Sequence, residues 1–171
     1  MNYRILTVLF LFPSFLFSQQ FNLDNFYEYH PNLQLKVDSV FNSLSDTTKV
    51  GQLVVPAVGR LGKADQHVIE LCKKGKLGGV LLLNGSMESF SNYVKLFDSI
   101  CDVNDLPPPI YSADAEPTLI KYKIKGSTPV PKTNAIVSIE QVDSVTQIIS
   151  NDLIKIGITQ NFAPVIDASP N

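Results

Sequence analysis

Three acids in this 171-residue chain stand where an apolar run gives way to a turn, and that is where α/β proteins place groups that meet a ligand. The run Pro107-Pro108-Pro109-Ile110-Tyr111-Ser112-Ala113-Asp114-Ala115-Glu116-Pro117 reads as a strand with a rigid proline lead-in, ending in two carboxylates. Side chains two apart on a strand point the same way, so Asp114 and Glu116 are expected to share a face. The run Ile158-Thr159-Gln160-Asn161-Phe162-Ala163-Pro164-Val165-Ile166-Asp167 is again apolar and again ends in a carboxylate. Acids so placed either hold a ligand in the crevice at the strand ends or cap the segment that follows.

Elements to position them are present. Leu33, Val37, Val40, Phe41 and Leu44 fall at helical spacing, and Ser45 or Asp46 can cap a short helix starting near Thr47. Gln52-Leu53-Val54-Val55-Pro56-Ala57-Val58 suits a strand buried on both faces. A helix is expected from a cap at Asp65 to the basic, glycine-ended Lys73-Lys74-Gly75. Gly78-Gly79-Val80-Leu81-Leu82-Leu83-Asn84-Gly85 is the second buried strand, and Ser86 opens a helix with Phe90, Val94, Phe97 and Ile100 on its apolar side. The connection over residues 117–132 is too long for an ordinary link and is a candidate substrate-covering loop. Ser138 and Gln141 form a capping-box pair ahead of Val142, Val145, Ile149, Leu153 and Ile156, and Gly157 stops that helix.

Strands near residues 53, 78, 109 and 159 thus alternate with helices, a rhythm that parallel βαβ units produce. Two architectures share it. One is the first half, about four βα units, of a (β/α)8 barrel, which as a whole needs about 250 residues; the other is a small doubly wound sheet.

Composition narrows the function. A hydrophobic share of 44%, a charged share of 18% and a net charge of -2 describe a globular chain without the basic field that nucleic acid requires. Arg4, the apolar run over residues 5–17 and the polar exit Ser18-Gln19-Gln20 read as a signal peptide over residues 1–19. That run is shorter than the roughly 20 residues of a spanning helix, so export to the periplasm or the exterior, with no membrane anchor after cleavage, is the expectation. Residues 20–43 read as an N-terminal arm and helix, and residues 44–171 as the main domain.

Cys72 and Cys101, the only cysteines, have the flanks of buried thiols, although a disulfide is open to them in an exported protein. His30 and His67 are isolated, and no spacing matches a metal site. Gly59-Arg60-Leu61-Gly62-Lys63 lacks the Gly-Lys-Ser/Thr ending of a phosphate loop and reads as a turn.

From about Leu44 onward the chain resembles the N-terminal catalytic domain of glycoside hydrolase family 3, in its β-N-acetylhexosaminidase branch. Four blocks in order carry the resemblance: Lys49-Val50-Gly51-Gln52-Leu53, Leu77-Gly78-Gly79-Val80-Leu81-Leu82-Leu83-Asn84-Gly85, Tyr111-Ser112-Ala113-Asp114-Ala115-Glu116, and Gly157-Ile158-Thr159-Gln160-Asn161-Phe162-Ala163-Pro164-Val165-Ile166-Asp167. The resemblance implies a barrel with its pocket at the carboxyl ends of the strands. Asp114 would hold hydroxyls of the terminal, non-reducing sugar, because an ionised carboxylate accepts two short, charge-assisted bonds from neighbouring hydroxyls. Glu116 and Asp167 are weaker candidates for supporting that pocket. The family has Trp-Gly or Gly-Gly after the acidic pair, leading to a basic residue, where this chain has Pro117-Thr118-Leu119.

The implied reaction is retaining hydrolysis of β-linked sugars, N-acetylhexosaminides above all, with no metal or organic cofactor. The family's Lys-His pair, its acid/base histidine loop and its aspartate nucleophile have no counterpart in these residues. The expectation is therefore a partial pocket, inactive alone and completed by a missing C-terminal segment. The alternatives are a non-catalytic carbohydrate-binding remnant of the same fold and an unrelated doubly wound ligand-binding domain.

Overall fold

The structure is a computed structural model and describes residues 27–165; the leader-like run and Asp167 lie outside the described residues. The chain divides into two compact units, residues 1–37 and 38–171. In the first, the described residues lead into helix α1 (Pro31–Ser43). The expected helix forms, but its apolar stripe is not covered, and no residue of α1 is buried. Helical spacing is enough to wind a helix and does not by itself supply a surface to bury its face.

The second unit alternates strand and helix. Its elements are α2 (Asp46–Gly51), β1 (Ala57–Val58), α3 (Asp65–Lys73), β2 (Gly79–Leu82), β3 (Gly85–Ser86), α4 (Met87–Val103), β4 (Ile110–Ala113), α5 (Ile120–Lys123), β5 (Ile124–Lys125), a single 3-10 turn (Thr133–Ala135), α6 (Ile139–Ile156) and β6 (Gln160–Asn161). The starts of these helices follow from local chemistry. Ser45 Oγ accepts the Thr48 amide at the start of α2, Ser86 and Ser89 form a reciprocal capping box on α4, and Ser138 Oγ accepts the Gln141 amide on α6. Asp65 does not cap α3 as expected. It is the first helical residue, with Ala64 at the cap position, and its carboxylate instead accepts the Tyr93 hydroxyl of α4 at 2.7 Å.

Strands β1, β2, β4 and β6 form one parallel sheet in that order, so strand order follows chain order with no reversal. Right-handed crossovers that always advance in one direction place their helices on one face of the sheet. Packing agrees: α3 lies against β1 and α4, and α4 lies against α6. Phe90, Phe97, Val68, Val80 and Val58 fill the core with no exposed surface. Tyr111 of β4 points to the helices, its hydroxyl donating to the Val94 carbonyl at 3.1 Å and to Asp98 Oδ1 at 2.7 Å. By strand alternation Ser112 then faces the other way. The register aligns Ala57, Leu81, Ser112 and Gln160 in one row across all four strands, on the face away from Tyr111.

The first strand is shorter and more exposed than its sequence suggests. Only Ala57 and Val58 pair with β2, while Leu53, Val54 and Val55 are exposed. The connection over residues 117–132 is likewise not a free covering loop. It contains α5 and β5, it buries Ile120 and Ile124, and β5 pairs in parallel with β3 in a second, two-stranded sheet. Two glycines are structurally required. Gly157 ends α6 in the left-handed conformation at φ +98°, and a Cβ on Gly78 would lie 1.9 Å from the Gln52 carbonyl oxygen.

Truncating Phe97, which has no exposed surface, to Ala is expected to destabilise the chain by about 3–5 kcal/mol in urea unfolding. Leu53→Ala, at an 83% exposed position, is expected to stay within about 0.5 kcal/mol. Equal losses at the two positions would contradict this core.

Candidate functional site

Strand β4 ends at Ala113, and the backbone then carries Asp114, Ala115 and Glu116 out over the carboxyl end of the sheet. This short path is tied to its neighbour by one side chain. Asn161 of β6 accepts the Ala115 amide on Oδ1 at 2.9 Å and returns its own amide to the Ala115 carbonyl at 3.4 Å. The same Oδ1 also accepts the Ala163 amide, and the Phe162 amide donates to the Ala113 carbonyl. Ala115 is fully buried beneath this clamp. An amide side chain suits the position because it offers both a donor and an acceptor to one peptide unit.

Beyond Ala115 the chain turns at once. The Glu116 carbonyl accepts the Leu119 and Ile120 amides and so starts α5, whose single turn brings Lys123 back over Asp114. Lys123 Nζ donates to Asp114 Oδ2 in a close ion pair. Both side chains remain partly exposed, so the pair adds little stability and acts mainly to orient the carboxylate. Among the described residues no donor bonds to Asp114 Oδ1, and the side chain is 35% exposed.

Asp114 and Glu116 do not share one setting, as continued strand alternation would have required. Glu116 lines a cavity of about 560 Å³ with Thr133, Val145, Ile149, Asn161 and Pro164, and its Oε1 is buried without a hydrogen-bond partner among the described residues. A second cavity, of about 480 Å³, opens where the chain leaves β1 and β2, and Arg60, Asn84, Ser86, Tyr122 and Lys125 line it. Asp114 lines neither cavity. The reason for the divergence is local: regular strand geometry stops at Ala113, and Pro117 turns the backbone before a further alternation is completed.

Sequence reasoning singled out neither Lys123 nor Asp152. Asp152, buried on α6, accepts both the amide and the hydroxyl of Thr128 and lies 3.3 Å from Lys155 Nζ. Burial alone would raise this carboxyl; the two Thr128 hydrogen bonds and Lys155 outweigh it and hold the group below the usual carboxylate range. Thr128 and the turn at Gly126 are thereby fixed to α6. Among the described residues no group of three or more His, Cys, Asp or Glu is placed to hold a metal ion. No helix of the described residues is long and apolar enough to cross a membrane.

The family model described as Glycosyl hydrolase family 3 N terminal domain matches residues 46–171. The chain belongs to this family. Among solved structures it is similar to a glycoside hydrolase family 3 beta-N-acetylglucosaminidase from Paenibacillus sp. str. FPU-7, at 26% identity and a TM-score of 0.62. That similarity covers 71% of this chain and 24% of the Paenibacillus chain, so this family 3 chain spans about a quarter of that relative's length. No curated protein matches it.

Two measurements follow from the hydrogen bonds described above. A carboxyl whose folded pKa is depressed contributes stability that is present above its unfolded value of about 3.9 and is lost as pH falls through the lower folded value. Urea midpoints measured between pH 6 and pH 2 are therefore expected to fall along an acid limb that Asp152→Asn flattens, and an unchanged limb in the variant would contradict the assignment. Asn161→Ala is expected to cost about 1–3 kcal/mol, by leaving the Ala115 amide buried and unpaired, with a loss under 0.5 kcal/mol as the contrary result.

Proposed function

We propose that these residues form the sugar-holding part of a glycoside hydrolase acting on terminal, non-reducing β-linked N-acetylhexosamines, and that Asp114 accepts hydroxyls of that sugar. The observation that carries the reading is the placement of Asp114 just beyond β4, steadied by Lys123 on one oxygen and, among the described residues, without a donor on the other, in a chain of this family. The similarity to the Paenibacillus beta-N-acetylglucosaminidase supports the choice of sugar. Glu116 and Asp167 remain proposed supports of the pocket, Glu116 by its position beside the Asn161 clamp.

The same reading takes the sheet as the first staves of a (β/α)8 barrel. Its support is the strand order without reversal and the Ala57, Leu81, Ser112 and Gln160 row, which lies on the face away from the helices and would face the barrel interior. Residues 1–19 act in this proposal as an export signal, which puts the domain in the periplasm or outside the cell, with carbohydrate as its partner.

Chemically, the reading assigns binding to this chain and leaves bond cleavage to groups outside its residues. A retaining mechanism needs a nucleophile at the anomeric carbon and an acid for the departing oxygen, with two carboxylates about 5–5.5 Å apart when both roles fall to carboxylates. Asp114 is drawn toward Lys123, and Glu116 is turned into a cavity that Asp114 does not line, so the reading does not assign the two as such a pair. Lys123 keeps Asp114 aimed, and Asn161 sets how far the Asp114 backbone projects from the sheet.

The test is incubation of the purified 171 residues with a chromogenic N-acetylglucosaminide. No release above buffer is expected, and turnover near that of an active family member would overturn the division of roles. In an active chain that continues through a complete barrel, Asp114→Ala is expected to lower kcat/KM by about 10²-fold or more, as loss of charge-assisted hydrogen bonds to the substrate does. A change under threefold would remove Asp114 from the sugar site.

A further inference from the structure

Cys72 of α3 and Cys101 of α4 are 29 positions apart in the chain, yet their sulfurs lie 3.6 Å from each other in the core. Both are nearly without exposed surface, and both thiols are free in the structure. The pair is enclosed on the helix side of the sheet: the Cys72 thiol also approaches the Phe97 carbonyl at 3.9 Å, and Phe97 itself is fully buried. Sulfurs 3.6 Å apart need to close by roughly 1.6 Å to reach the bonded length of about 2.05 Å.

We infer that Cys72 and Cys101 are a cross-linking site, joined by a disulfide that pins α3 to α4 when the chain folds in the presence of a disulfide oxidant. The step balances as thiol–disulfide exchange. One cysteine thiolate attacks the oxidant's S–S bond, releasing one thiol and forming a mixed disulfide; the second thiolate then displaces the other thiol. Two cysteine thiols are oxidised, one disulfide of the oxidant is reduced, and the two protons end on the released thiols.

The timing follows from the surroundings. Burial, the neighbouring thiol and the Asp98 carboxylate push Cys72 up to about 12, and burial raises Cys101 as well, so neither supplies much thiolate in the folded chain. The cross-link therefore forms while α3 and α4 are still docking, and once formed it is shielded from reductant. Its closed loop constrains the unfolded chain, which is the usual source of disulfide stabilisation. The inference rests on the geometry of the core and is independent of the glycosidase reading; it draws on the proposed export only for the oxidant that a cell would supply.

The experiment is refolding of the full chain from urea in glutathione buffers poised from reducing to oxidising. Free thiols are then counted under denaturing conditions, and non-reducing peptide maps are read by mass. The expected result is loss of both thiols, a linked peptide pair 2 Da lighter than the reduced pair, and a disulfide that dithiothreitol reduces at least tenfold faster in urea than in native buffer. The oxidised chain is expected to melt about 5 °C or more above the reduced chain, and the difference to vanish in the Cys72→Ala, Cys101→Ala double variant. Two free thiols at the oxidising end would overturn the inference, as would bonds formed only between chains or a native disulfide as quickly reduced as in urea. Should the double variant fail to fold, the thiol count and the reduction rates of the unaltered chain decide the matter alone.

Discussion

The arrangement at the carboxyl end of the sheet depends on one side-chain amide. Asn161 answers both the N–H and the C=O of Ala115, two groups that the end of β4 leaves without ladder partners. Buried peptide groups must be paired, and by pairing them from the neighbouring strand Asn161 fixes where the chain beyond β4 goes. Asp114 is held on the approach to that clamp and Glu116 on the exit from it. Their different surroundings are set by a backbone that has no freedom at Ala115.

The second constraint is the return of the chain through α5. A helix of one turn has little stability of its own, and here it is maintained by burying Ile120 and Ile124 and by the pairing of β5 with β3. Lys123 arrives at Asp114 as a consequence of that packing. The electrostatic pair and the hydrophobic anchor are thus two aspects of one element. Asp152 does the same for the next stretch, holding Thr128 against α6 through bonds that a charged carboxylate makes well.

Much of the fold was readable beforehand because its signals are local. The caps at Ser45, Ser86 and Ser138, the stop at Gly157 and most of the stripes of α4 and α6 depend on residues close in sequence, and the structure places them as expected; the exceptions are Val142, which is half exposed, and Gln141, whose side chain accepts the Val137 amide and so does not complete a capping box with Ser138. The family was legible for a related reason, since three of its four blocks lie on neighbouring strands of the sheet and the first on α2 just ahead of β1. What was not legible depends on distant partners. Nothing within a few residues of Lys123 or Asp152 marks them as the mates of Asp114 and Thr128, and the pairing of β5 with β3 joins segments 39 positions apart. The exposure of Leu53, Val54 and Val55 and of the α1 stripe shows the converse, that apolar composition states a tendency to be covered and not what covers it.

A carboxylate steadied on one oxygen and offering the other to a sugar is the central claim, and it is most directly tested by amide NMR of the labelled chain during titration with N-acetylglucosamine. Saturable shifts centred on Ala113, Asp114, Ala115 and Lys123, abolished by Asp114→Asn while the remaining spectrum is unchanged, are the predicted result. Saturable shifts elsewhere that survive Asp114→Asn, with those four amides unmoved, would contradict it.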